Sequence, residues 1–96
     1  MNGMVYYVYI LESETDGSLY TGQTNNLRSR FRRHNRGLIK ATKAKTPYRM
    51  GYFEIYGKRA EAMRREWELK TKWNTERKKR LIRGFDPDKI KEVLGL

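Results

Sequence analysis

The sequence has no cysteine and only one histidine. The first absence excludes disulfides, a thiolate zinc site and a cysteine nucleophile. The second excludes a multi-histidine metal site. A chain without thiols suits a reducing cytoplasm, which is where it is expected to work. No apolar run approaches the ~18–20 residues needed to cross a bilayer, so no membrane span is expected. The N-terminus has no basic segment followed by an apolar stretch, so no signal peptide is expected. Lys and Arg are missing from residues 1–26 altogether.

What is present is positive charge. The 96 residues carry 22 Lys+Arg against 11 Asp+Glu, for a net charge of +11. Residues 1–26 hold −3, residues 27–83 hold +15, and residues 84–96 hold −1. With 38% hydrophobic and 12% aromatic residues, the chain has enough apolar material for one folded domain. So strong an excess of one sign points to a polyanion, with nucleic acid first and an anionic membrane surface second. No internal repeat or low-complexity linker interrupts the chain. Residues 1–83 read as one domain and 84–96 as a short helical extension.

Val5 to Leu11 is β-branched and aromatic, as expected of a strand buried on both faces. Asp16-Gly17 marks a hairpin, and Leu19 to Gln23 returns as a second strand. If the turn pairs positions of opposite parity, Tyr9 and Tyr20 emerge on one face. Asn26 and its neighbours can cap a helix over Leu27 to Arg36, stopped by Gly37. On that helix Leu27, Phe31, His34 and Leu38 form an apolar stripe, and Arg30 lies one turn from His34. A third strand is expected over Arg49 to Tyr56. A second helix is expected from Arg59 to about Trp73. Ala60, Ala62, Met63, Trp67, Leu69 and Trp73 share its apolar arc, with Glu66 and Lys70 near the middle. An acid there is costly unless it is paired. Helices over Thr75 to Ile82 and Pro87 to Leu94 complete the reading. The fold class is a small α/β (α+β) sandwich, a three-stranded antiparallel sheet with helices in the order β-β-α-β-α-α.

Few groups here can do chemistry: Tyr9, Tyr20, Arg30, His34 and Glu66. With a polyanionic partner they suggest phosphodiester hydrolysis. A carboxylate can hold one divalent cation whose other positions are water, and an Arg can hold a phosphate oxygen. A Tyr serves as a base only if its proton is drawn off by a neighbouring charge or a His.

Tyr7-Val8-Tyr9, then Tyr20-Thr21-Gly22, then Arg30, His34 and Glu66, resembles the GIY-YIG endonuclease domain over about residues 5–83. The chain looks most like the small stand-alone bacterial type, similar to the nuclease module of the excision-repair incision subunit. The resemblance implies that Tyr9 closes the first motif, and that Tyr20 and Gly22 belong to the second. It implies that Arg30 and His34 are the helical site residues, and that Glu66 binds one Mg²⁺ or Mn²⁺. It leaves open which tyrosine is the base. The implied activity is metal-dependent cleavage of DNA, in repair or recombination. The alternative is a non-catalytic basic module that binds nucleic acid on a nuclease fold. The leading Gly of the first motif is Tyr7 here. Family members often carry a late Asn, and Asn74 lies in that region.

Each residue alone has a plainer reading. Tyr9 and Tyr20 can be strand-pair tyrosines, His34 a structural histidine and Arg30 a solvated one. Glu66 can simply pair with Lys70 at i,i+4, worth a few tenths of a kcal/mol. Their order and spacing together favour a site. Arg28, Arg32, Arg33, Lys40, Lys43, Lys45 and Lys70 are the expected nucleic-acid contacts, with DNA the first partner and RNA a second. Trp67, Trp73 and Tyr48 can stack on bases, although the two Trp are expected in the core or against the third helix. A monomer is expected. Residues 84–96 are too short for a separate DNA-targeting domain, so sequence-specific cutting is not expected; a subunit that gains activity with a targeting protein partner is a third reading.

Overall fold

Val8, Tyr9, Ile10 and Leu11 are all buried, and this run is the middle of the molecule. It lies in β1 (Tyr6–Ser13), the central strand of an antiparallel sheet ordered β2-β1-β3, with β2 spanning Leu19–Thr24 and β3 Tyr48–Tyr56. These elements come from a computed structural model that describes residues 4–96; residues 1–3, the start of the 1–83 unit, lie outside the described residues. Because side chains alternate across a strand, the run feeds two cores. Tyr9 and Leu11 join Leu27, Tyr48, Met50, Phe53 and Leu94 on one face. Val8 and Ile10 join Ala62 and Leu69 on the other.

The helices divide accordingly. Helix α1 (Leu27–Asn35) and helix α4 (Pro87–Leu94) cover the Tyr9 face; α2 (Arg59–Thr71) and α3 (Thr75–Arg83) cover the Val8 face. The expected fold class is therefore present, with four helices on the sheet. Residues 84–96 share the core of the rest, since α4 contacts α1 and β3 and buries Leu94.

Local signals act as the sequence predicts. The Asn26 side chain accepts from the Ser29 amide and starts α1. Gly37, at φ +73°, ends it in the left-handed region. Leu38 lies beyond that stop, so it leaves the stripe and is exposed.

Helix α2 departs from expectation. Its buried strip is only Ala62 and Leu69, while Ala60, Met63 and Trp67 face solvent. Small Ala62 lets the backbone approach the sheet, and the flanks of the strip are polar. On the β3 side the Arg65 guanidinium donates to both Glu54 oxygens, and the Tyr52 and Tyr56 hydroxyls donate to the same carboxylate. Burial works to raise the Glu54 pKa, but those donors outweigh it and hold the carboxyl below its usual range. This network fixes how α2 is rotated about its axis. Trp73 is half-buried with the guanidiniums of Arg65 and Arg77 against its ring. Asn74 caps α3, accepting from the Arg77 amide.

Candidate active site

The hairpin register pairs Tyr9 with Gly22 and Leu11 with Tyr20. Tyr9 and Tyr20 are thus diagonal neighbours on one face, with ring centroids 6.4 Å apart. The Tyr9 ring lies across β2 at Gly22, where a Cβ would fall 2.5 Å from the phenol oxygen and 3.1 Å from Cε2 of Tyr20. No larger residue fits beneath the two rings.

Helix α1 brings His34 to the same place. Its seven-residue spacing from Leu27 puts both on the buried side of the helix. The ring is wholly buried, 5.1 Å from the Tyr20 ring, with Nε2 2.8 Å from the Tyr9 hydroxyl. On its other side Nδ1 is 2.7 Å from the hydroxyl of Thr42, which is also buried. The Thr42 hydroxyl donates to the Ile39 carbonyl, so it accepts from Nδ1–H and leaves Nε2 to accept from Tyr9. Burial pulls the His34 pKa down to about 4, with Arg30 and Arg33 adding to the effect. The ring is therefore neutral at pH 7. Burial raises the Tyr9 pKa, as do Tyr20 and Glu66, against the opposing charge of Arg30. The resting chain is Tyr9 phenol, neutral His34, Thr42.

Glu66 reaches this region from α2. Its carboxylate is 3.1 Å from the Lys70 ammonium one turn on, and Lys70 also lies 5.6 Å from the centre of the Tyr20 ring. The pairing read from sequence is thus real, and it stands against a site tyrosine. Arg30 is half-buried on α1, and its charge acts on both His34 and Tyr9. Tyr9, Tyr20 and His34 are in contact, and Arg30 and Glu66 lie near enough for their charges to act on Tyr9. Among the described residues no group of three or more His, Cys, Asp or Glu is placed to hold a metal. Glu66 is a single oxygen donor, which suits a hard cation that keeps waters and takes substrate phosphates.

The basic residues fall into two sets. Arg32, Arg33, Lys40 and Lys43 are exposed on α1 and the loop after it, a loop anchored to the site through Thr42. Arg28, Lys45 and Lys70 are exposed as well, but each has a neighbour within the protein. The Arg28 guanidinium packs against Gly95 at the end of α4, Lys45 pairs with Asp16 at 3.2 Å, and Lys70 pairs with Glu66. Tyr48, expected as a base-stacking candidate, is buried with its backbone held by Asn35. Tyr7, where the resemblance implies glycine, packs edge-on against Phe53 at 5.9 Å on the face that α4 covers. Thr42 was not singled out by sequence: a threonine in an aperiodic loop carries no spacing signal.

The GIY-YIG catalytic domain model matches residues 5–80 of the chain. UPF0213 proteins of Staphylococcus aureus strains Mu3 and Mu50 are each 42% identical over 79 residues, covering 81% of this chain and 94% of theirs. The solution NMR structure of a UPF0213 protein from Bacillus halodurans superposes with a TM-score of 0.52 at 38% identity, covering 82% of this chain and 83% of that one.

Proposed function

The chain belongs to the GIY-YIG catalytic domain family, and from that membership in a nuclease family we propose that it is an endonuclease hydrolysing phosphodiester bonds of DNA with one Mg²⁺ or Mn²⁺ at Glu66. The observation that carries the reading is the buried chain from Tyr9 through His34 to Thr42, set beside Arg30 and Glu66. A structural histidine needs partners. It does not need an arginine and a glutamate near enough for both charges to act on the same phenol.

Glu66 is the residue that would hold the cation, which when bound neutralises charge developing on the phosphate and makes its water more acidic. With a cation held at Glu66, Lys70 would be replaced as its partner and left for a phosphate oxygen. Arg30 holds another phosphate oxygen and stabilises the transition state. The attacking water gives its proton to a phenol oxygen. If that phenol is Tyr9, its own proton passes to His34 Nε2, so no free phenolate forms despite the raised Tyr9 pKa. The P–O bond to the leaving oxygen breaks as the water oxygen bonds to phosphorus, and the His34 imidazolium, disfavoured where it sits, passes its proton back through the Tyr9 hydroxyl to that leaving oxygen. Tyr20, packed against the same imidazole, is the other phenol able to take the proton. The exposed Arg32, Arg33, Lys40 and Lys43 supply backbone contacts that position the strand without reading its sequence.

The second reading is a binding module without catalysis. It draws on the Glu66–Lys70 pair, which fills the carboxylate, and on the phenol held protonated by burial. Branched, nicked and plasmid DNA incubated with Mg²⁺ or Mn²⁺ decide between the two. Cleavage by the wild type, lost in Glu66→Ala and in chelator, supports the nuclease. Equal background in wild type and variant overturns it and leaves the binding module.

A further inference from the structure

The face of α2 that carries Glu66 continues outward past it. At ~100° per residue, Lys70, Met63 and Trp67 follow Glu66 around the helix in that order, away from buried Ala62 and Leu69. Met63 is 51% exposed and Trp67 55% exposed. They lie one turn apart, so they form one apolar patch and not two scattered residues.

Around Trp67 the surroundings are cationic, while Glu66 adjoins Met63. The positions that adjoin Trp67 on the helix surface, three and four residues away, are Met63, Arg64, Lys70 and Thr71, none of them acidic. The Lys72 ammonium lies 5.4 Å from the centre of the Trp67 ring. An aromatic plane ringed by cations, on the helix face that leads to the candidate carboxylate, matches a ligand with flat apolar faces on an anionic backbone.

We propose that Met63 and Trp67 form a stacking platform for an unpaired base of a nucleic acid whose backbone lies at Glu66. The base covers the indole and the Met63 thioether while Lys72 meets a flanking phosphate. Base pairing hides those faces inside a duplex, so the platform selects strands with an exposed base, such as a flap, a bulge or a single strand. This rests on the nucleic-acid part of the function proposed above and not on its cleavage step.

The test is binding of the full chain, in chelator, to a labelled single-stranded oligonucleotide and to the duplex of the same sequence. Trp67→Ala is expected to weaken single-strand binding at least about five-fold and to leave duplex affinity unchanged. Trp67→Phe is expected to retain most of the single-strand affinity, and circular dichroism is expected to show both variants folded as the wild type. Equal loss on both ligands overturns the platform. No loss on either also overturns it. Cleavage assays separate the two levels. Discrimination through Trp67 without any cleavage by the wild type overturns the nuclease alone. Cleavage without a Trp67 effect overturns the platform alone.

Discussion

The Tyr9 hydroxyl lies 2.8 Å from Nε2 of a histidine that has no exposed surface. That bond joins the central strand to the first helix, and Tyr9 itself belongs to the larger core. Site and core are therefore one object on this face of the sheet. Tyr9→Phe keeps the ring and leaves the His34 acceptor dry and unpartnered. Urea unfolding is expected to show a loss of about 1–3 kcal/mol. Tyr20→Phe, at a half-buried position, is expected to cost less. In a cleavage assay, whichever phenol takes the water's proton is expected to lose about 100- to 10,000-fold on replacement. Comparable activity in both variants and the wild type would exclude both phenols as the base.

Thr42 sets which nitrogen of His34 carries the proton. Thr42→Val preserves the shape of the side chain and removes the acceptor for Nδ1–H. The ring is then expected to exchange tautomers or lose order, seen as displaced His34 nitrogen resonances in NMR. Stability is expected to fall by about 1–3 kcal/mol. Thr42→Ser, which keeps the hydroxyl, is expected to restore the resonances. A Val variant with the wild-type spectrum would remove Thr42 from this role.

The buried His34 makes stability depend on pH with a definite sign. Its folded pKa is near 4, below the ordinary 6.5. Between these values the unfolded chain binds the proton and the folded chain does not. The stability from keeping His34 neutral is full above about pH 6.5 and is lost as pH falls toward about 4. The loss over that window is on the order of 3 kcal/mol. Thermal melts of the wild type and of His34→Gln across this range are expected to differ in slope, with the variant flatter. Parallel slopes would show that folding leaves the proton affinity of His34 unchanged. Glu54, also held below its usual range, adds its loss at more acid pH.

Gly22 leaves room for the Tyr9 ring. Gly22→Ala is expected to push the phenol off its place over β2, since the new methyl falls 2.5 Å from the oxygen. Overpacking of this kind costs about 1–3 kcal/mol. Cleavage is expected to fall with it, because the Tyr9–His34 bond cannot keep its length. An unfolding midpoint and a Tyr9 environment unchanged from wild type would refute the clash.

How much of this was visible in the sequence depends on whether a period carried it. Strand alternation predicts that Tyr9 and Tyr20 share a face, and the register delivers it. The caps at Asn26 and Gly37 bound α1, and spacing puts His34 on its buried side. The arc of α2 misleads. Counting apolar residues around the helix gives Met63 and Trp67 the same weight as Ala62 and Leu69. The sheet accepts only a narrow strip, and the polar residues beside it are satisfied by Glu54, Lys70 and each other. Thr42 meets His34 from the loop after α1, and Glu54 meets Arg65 from another element, so no period within one element encodes either contact. The positive charge of residues 27–83 foretells a polyanion. It does not separate Arg33 and Lys43, which face solvent, from Lys45 and Lys70, which are already paired.

Leu94 and Tyr9 belong to the same cluster, although they lie far apart along the chain. The wall behind the phenol is thus built from a segment distant from the hairpin, and the two must meet before this face of the sheet can exclude water. A change at Leu94 therefore reaches the phenol without touching any residue that could do chemistry.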